Sequence, residues 1–427
     1  MVFTIISILI LLLGCFKFKQ GLIIFVIYQI FWYSTEVIRF GSVSLNTSVL
    51  LSLGYSILYL LHKSKYKISQ KSFPYAIPFI LVIISYIASC FFALSGFSTE
   101  LARAVKYILQ DYIMVWILWN TIETKKDFRM LFNGVTVTIF ICCIYGIVEY
   151  FTGTNFMLDY KVALSGDTLV TYDPTGLRGY RLVSLFEHPI GAGMTLALYA
   201  AFVLNMWIDK KYIPNRLLSL ITAILCIPCV FLTKMRTAIL FAIIPCAFSI
   251  INKRAMKKKR MLYLLIVACA CIPIFVFAFQ DYMGLLSNMF STDTSSIGGS
   301  SLAMRVTQME AIINLVKVSP VFGFGETFRS SIIRSVYTDA ALGYEGLWAE
   351  KLIMHGVFGI VAVAILIYYS VYKIPKKYHC RAAFLFAFAY WFVYTFSSIP
   401  SFRITLFFLA EFYFIKMSDV YKSVEQT

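Results

Sequence analysis

The sequence predicts an all-α polytopic membrane protein with about twelve to thirteen transmembrane helices. Three observations carry that expectation. The 427 residues are 60% hydrophobic and 17% aromatic but only 14% charged, at a mean hydropathy of +0.79. A soluble domain would hold roughly a quarter charged residues. Apolar runs close to the roughly twenty residues that cross a bilayer recur along the chain. Lys/Arg clusters fall in alternate connections, as the positive-inside rule requires of cytoplasmic loops. Nearly all of the chain is then in or against the bilayer, so residues 1–427 are read as a single membrane domain.

In order, the apolar runs place spans at 2–16, 21–34, 47–62, 76–95, 104–122, 131–151, 189–208, 217–233, 237–252, 261–279, 353–372, 382–397 and 404–416. The first two and the last are short, which flanking side chains that snorkel can accommodate. Val2–Phe16 has no basic residue before it and no small-residue cleavage site, so it reads as a span and not a signal peptide. The clusters Lys17/Lys19, Lys63–Lys71, Lys125–Arg129, Lys210–Arg216, Lys253–Arg260 and Lys373–Arg381 mark the cytoplasmic loops, and the C-terminus, Lys416–Thr427, falls on the same side. The net charge of +17 resides largely in these short loops. There it sets orientation and meets anionic lipid head groups, so no nucleic-acid partner is expected.

Two outer loops are large, 152–188 and 280–352. The second interrupts a membrane-filling chain with a polar stretch of about seventy residues, a length that bare helix packing does not require. An enzyme at the outer face needs such an insert to hold a polar substrate beside a lipid one. Within it Ser291–Ser301 is a flexible Ser/Gly/Thr segment. Ser301–Val318 then places Leu302, Val306, Met309, Ile313 and Val316 at helical spacing. That helix either lies on the outer leaflet or packs on the spans.

Of the ten cysteines only Cys380 is clearly in a loop, and that loop is basic. No disulfide framework is implied. Cys226-Ile-Pro-Cys229 has redox or metal spacing, but it lies mid-span without His or acidic neighbours and reads as packing. His62, His355 and His379 have no acidic, Cys or His partner at ligand spacing, so neither a metal site nor a cofactor is expected. The sequence holds no DxD pair, Walker loop, Rossmann glycine pattern or Gly-x-Ser-x-Gly elbow. A nucleotide-sugar substrate therefore has no support.

Charge at the membrane boundary is costly unless paired or hydrated, so such residues are candidates for function. Arg181 and His188 lie just before a span; Arg236 sits in the short outer turn Thr233–Thr237. Arg305 opens the outer helix, and Glu345 and Glu350 precede the eleventh span. Arginine offers phosphate a planar, two-pronged donor and keeps its charge in poor solvent. A cluster of them suits a lipid-linked diphosphate, whose growing charge on departure they would stabilise. A neighbouring glutamate suits proton removal from a sugar hydroxyl. Singly, each arginine better suits snorkelling to lipid phosphates or pairing with a nearby acid; as a set ordered along the chain they point to a site. His188 suits either a substrate contact or a helix N-cap.

From Arg181 to Val363 the chain resembles the O-antigen polymerase and ligase superfamily, the Wzy and WaaL type membrane proteins of surface-polysaccharide assembly. Three patches carry the resemblance. Arg181-Leu-Val-Ser-Leu-Phe186-Glu-His188-Pro189 is similar to the family's Arg, Phe and Asn/His-Pro pattern, and Leu232-Thr-Lys-Met-Arg236-Thr-Ala to its T-x-S-R turn. Arg305 through Ser319-Pro-Val-Phe-Gly323-Phe-Gly325 and Glu345-Gly-Leu-Trp-Ala-Glu350 to Gly356-Val-Phe-Gly359 is similar to the third. Two departures stand out: Met235 occupies the family serine position, and counting back from Gly356 puts the ligase His-Asn at Glu345-Gly346. The second favours polymerase over ligase.

The resemblance implies a GT-C-like, metal-independent inverting glycosyltransferase of the bacterial cytoplasmic membrane. Its donor would be a polyprenyl-diphosphate-linked oligosaccharide and its acceptor a lipid-linked repeat unit. Glu345 and Arg236 would be catalytic, with Arg181, His188, Arg305 and Glu350 binding substrate. Membrane lipids, a flippase and a chain-length regulator of the same pathway are the candidate partners. A ligase-type transferase and a polysaccharide transporter are the competing readings. The absence of an internal repeat and the gathering of charge at one face count against transport.

Overall fold

The computed structural model describes residues 2–31, 36–40, 43–63, 73–165, 180–186, 188–208, 213–235, 237–243, 302–328, 346–396 and 402–418. Its first helices follow the apolar runs: α1 Val2–Phe16, α2 Phe18–Phe31, α3 Thr47–Lys63 and α4 Ala76–Cys90. Next comes an unbroken helical run made of α5 Phe97–Tyr107, a π-helical turn Ile108–Ile113 and α6 Met114–Thr121. The chain continues with α7 Lys125–Thr152, α8 Phe156–Ser165, α9 Pro189–Ile208 and α10 Arg216–Leu232. After these come α11 Leu302–Val318, α12 Leu347–Tyr368, a second π turn Tyr369–Lys373, α13 Ile374–Lys377, α14 Arg381–Phe396 and α15 Phe402–Lys416. One short antiparallel hairpin, β1 Glu36–Phe40 with β2 Val43–Asn46, interrupts the helices, pairing Phe40 with Val43 and Glu36 with Asn46. The protein is an all-α membrane protein in all other described parts. Lys125–Thr152, Pro189–Trp207 and Leu347–Lys377 are each long and apolar enough to cross a bilayer. The expected span 261–279 and the Ser291–Ser301 segment lie outside the described residues, and the expected span 237–252 is described, as helix, only to 243.

Local chemistry explains where several helices begin. Asn46 Oδ1 accepts the Val49 amide at 2.9 Å and Asn155 Oδ1 accepts that of Leu158 at 2.9 Å, each capping the third residue of its helix. Thr124 and Asp127 form a reciprocal box: the Asp127 amide donates to Thr124 Oγ1 at 3.1 Å, and the Thr124 amide to Asp127 Oδ2 at 3.0 Å. Lys19 adds an ion pair to the same carboxylate at 3.0 Å.

The described elements form two compact units. The first comprises Met1–Phe128, Met304–Phe384 and Tyr394–Thr427; the second comprises Arg129–Ala303 and Leu385–Val393. In the first, edge-to-face aromatic contacts knit the interior. Phe79 meets Tyr112 and Phe408, each with ring centroids 5.1 Å apart, and Trp119 meets Phe412 at 4.9 Å. In the second, α9 is buried along almost its whole length and α10 packs against it. Cys226 and Cys229 are buried free thiols there, with Cys226 Sγ 3.6 Å from Cys143 Sγ.

The outer helix exists at the expected place, but its packing stripe is displaced by one residue. Ile312 and Leu315 are buried with Phe324, Phe328 and Ile353, and Val316 packs at the edge. Ile313, expected on the apolar face, is 54% exposed. The stripe is set by Phe324 and Phe328, which come from the segment after the helix and cover its Ile312/Leu315 side. Of the two placements expected for α11, packing on the protein is the one found over this half.

Candidate functional site

The first unit holds a joint between a broken helix and the segment that follows α11. Helix α12 starts at Gly346, its N-cap, and breaks at Gly356, where φ is 63° and ψ −162°. This backbone region belongs essentially to glycine. The break strands two carbonyls and two amides, and the segment 319–328 satisfies all four. The amides of Phe324 and Gly325 donate to the carbonyls of Ile353 and Met354, both at 2.9 Å. The amides of Val357 and Phe358 donate to the carbonyls of Pro320 and Val321 at 2.9 and 3.1 Å. Irregular backbone at membrane depth is tolerated only with such compensation. The approach is so close that a Cβ on Gly323, itself at φ 69°, would sit 2.5 Å from the Ile353 carbonyl oxygen. A Cβ on Gly356 would collide with the Val321 backbone.

The joint delivers a charge into the interior. Glu326 follows Gly325 directly and is buried, with Oε1 3.0 Å from His355 Nε2 and 3.7 Å from Lys351 Nζ. Lys351 also pairs with Glu350 at 3.5 Å and donates to the Tyr86 hydroxyl at 3.0 Å. His355 Nδ1 lies 3.1 Å from Ser89 Oγ, and its ring sits 4.2 Å from that of Tyr86. Glu100 secures the segment from behind, accepting the amides of Glu326 and Thr327, the Thr327 hydroxyl and the Ser95 hydroxyl. Burial alone would raise the Glu326 carboxyl. The Lys351 charge and the His355 hydrogen bond outweigh it and hold its pKa at about 2.

The second unit holds the Arg181 patch. The buried Glu149 carboxylate accepts the amides of Val183 at 3.0 Å and Ser184 at 2.5 Å, and the Tyr180 hydroxyl at 3.1 Å. Asn155 Nδ2 donates to the Ser184 carbonyl at 2.9 Å and Lys161 Nζ to that of Leu185 at 2.6 Å. Burial, then the Glu149 charge, pushes the Tyr180 phenol above its usual pKa. Held this way, Arg181 reaches the turn after α10: Nε donates to the Thr233 carbonyl at 3.3 Å, and a terminal nitrogen lies 2.6 Å from Met235 Sδ. The Leu182 amide donates to the Leu232 carbonyl at 3.0 Å. His188 Nδ1 accepts the Ile190 amide at 3.0 Å, with Pro189 as the first residue of α9. Of its two expected roles, the structure exhibits the cap.

The expected site residues therefore divide. Arg181 and His188 belong to the second unit and Glu350 to the first. Arg305 lies in α11, with its side chain outside the description; Arg236 and Glu345 are outside the described residues. The first two motif patches do meet, through Arg181 and the Thr233–Met235 turn. Sequence reasoning passed over Glu100, Glu326, Lys351 and His355. His355, set aside for want of an acidic neighbour, has one 29 residues away in Glu326. The signal the sequence offers for them is an ionisable residue inside or beside an apolar run.

No curated protein matches the chain. Residues 221–364, which include Glu326, Lys351, His355 and both sides of the glycine joint, match the family model described as O-antigen ligase. That match is in keeping with the polymerase and ligase superfamily that the motifs resemble.

Proposed function

We propose that this protein is a surface-polysaccharide polymerase of the bacterial cytoplasmic membrane. It transfers glycan from a polyprenyl-diphosphate donor to a lipid-linked repeat unit at the outer face. The observation that carries this reading is the meeting of Arg181 with the Thr233–Met235 turn, which leads directly into Arg236. This contact supports a reading in which Arg181 and Arg236, far apart in the chain, share one anion-binding locus. In the transfer, the acceptor hydroxyl oxygen bonds to the anomeric carbon as the bond from that carbon to the diphosphate breaks. Glu345, next to the N-cap of α12, takes the hydroxyl proton. Arg181 and Arg236 take up the charge on the departing diphosphate.

The test is a gel of lipid-linked and surface glycans from a deletion strain complemented with wild type, Glu345→Ala or Arg236→Ala. Single repeats in the deletion, with polymer restored by wild type alone, support the polymerase. Long polymer stranded on the carrier lipid makes the protein a ligase. The broken α12 and its buried ions also match transporter construction, and an absence of glycan at the outer face would establish that reading instead.

A further inference from the structure

A second polar feature of the first unit lies along the Ile108–Thr121 run and the helices packed on it. Among the described residues of the first unit, buried side-chain atoms without a hydrogen-bond partner gather on elements that pack on the Ile108–Thr121 run: α3, with Thr47, Ser52 and Tyr59, the run itself, and α15. On the π turn and α6 these are both amide atoms of Gln110, Asp111 Oδ1, Asn120 Oδ1 and Thr121 Oγ1. On α15, which packs against both, they are Thr405 Oγ1 and Glu411 Oε1. Gln110, Asn120 and Thr121 are each 2% exposed, Asp111 5% and Glu411 0%. From Asp111 to Thr121 the helix rises about 15 Å, half of a hydrocarbon core of about 30 Å.

Ordinary packing does not account for this layer. Each unpartnered polar atom at membrane depth is costly. One end of the layer borders the joint, since the π turn packs on α4, whose Tyr86 and Ser89 meet Lys351 and His355. Towards the other end the Tyr75 hydroxyl donates to Glu411 Oε2 at 3.3 Å, and Lys416 staples α15 to the carbonyls of Trp119 and Ile122. A π turn inserts one extra residue into the helical ladder, a distortion frequent at functional sites. Here it carries both Gln110 and Asp111. Chains of acidic groups and hydroxyls through a membrane are the usual construction of proton relays.

We infer that the layer between the Ile108–Thr121 run and α15 is a hydrated proton path, with Asp111 and Glu411 as its proton-binding groups. The path is independent of glycan transfer. N,N′-dicyclohexylcarbodiimide tests the carboxyls directly: a protonated carboxyl in apolar surroundings adds its O–H across a carbodiimide C=N bond, and the O-acylisourea rearranges to a stable N-acylurea without a leaving group. Mass mapping of the full-length wild-type protein is expected to find adducts at Asp111 and Glu411. Vesicles loaded with potassium, carrying the protein and given valinomycin are expected to take up protons several-fold faster than protein-free vesicles. Asp111→Asn or Glu411→Gln, monodisperse by size exclusion, is expected to return the rate to that of protein-free vesicles. Failure to label either carboxyl, wild-type uptake at the protein-free rate, or variants that conduct like wild type would each overturn the inference. The labelling needs no variant, so misfolding cannot shield the proposal. Neither readout involves glycan, so this result and that of the glycan gel fail separately.

Discussion

Replacing Glu326 by glutamine keeps the shape of the side chain and removes its charge. The carboxyl is 8% exposed, and its pKa falls from an ordinary 4.5 to about 2. At about 1.4 kcal/mol per unit, this depression corresponds to about 3 kcal/mol of stability at neutral pH. The independent expectation for breaking a buried pair is about 3–5 kcal/mol, and Glu350, which still pairs with Lys351 at 3.5 Å, places this case at the lower end. Because the folded pKa is the lower one, the contribution is complete above the unfolded value and disappears as pH falls. Between pH 4.5 and pH 2 it shrinks from about 3 kcal/mol to under about 0.5 kcal/mol. Reversible unfolding in mixed micelles, followed by tryptophan fluorescence for wild type and Glu326→Gln across that range, measures the difference. The two proteins should converge towards pH 2. A gap below about 0.5 kcal/mol at pH 7, or a gap of about 3 kcal/mol that persists at pH 2, would refute the role given to the Lys351 charge.

Gly356→Ala should destabilise the first unit by about 2 kcal/mol or more, since it combines a strained backbone with a collision against Val321. The same unfolding assay reads it, and a change under about 0.5 kcal/mol would mean that α12 can straighten. Glu149→Gln weakens charge-assisted acceptance of the Val183 and Ser184 amides, each such bond contributing about 1.5–3 kcal/mol. Trypsin should then cut after Arg181 at least about tenfold faster, and an unchanged rate would show that Asn155 and Lys161 hold the segment without it.

Helix positions were legible in the sequence because each depends on a run of one chain's own side chains. The expected spans 2–16, 47–62 and 189–208 return as Val2–Phe16, Thr47–Lys63 and Pro189–Ile208. Their ends are local as well, since Asn46 and His188 reach only two or three residues along. The stripe of α11 was not legible, because Phe324 and Phe328 decide it from outside the helix. The charge pairing was illegible for the same reason. Lys351 and Glu326 are ordinary boundary residues until a turn lays one on the other. Asp111 and Glu411 were within reach, because an acidic residue inside an apolar run is informative without any partner. Arg181 and the turn that leads into Arg236 stand out in the sequence as charge at the membrane boundary, and the contact of Arg181 with Thr233 and Met235 joins the two patches.

The two glycine patterns of the third motif patch look in sequence like separate signatures, Pro320 to Gly325 and Gly356 to Gly359. In space they are the two sides of one exchange of hydrogen bonds. Gly356 breaks α12 and strands the Ile353 and Met354 carbonyls; Gly323 lets the 319–328 backbone approach closely enough to fill them. Neither side gains by itself: a break without the segment leaves bare carbonyls at membrane depth, and the segment without the break finds no open acceptor. The joint then fixes Glu326 at the position after Gly325, close enough to Lys351 and His355 to be held ionised. Lys351 in turn meets Glu350, in the first turn of the helix that Glu345 precedes in the chain. A loss of transfer activity in a Gly323 or Gly356 variant would therefore reach the acidic end of α12 through Glu326 and Lys351, without either glycine touching substrate.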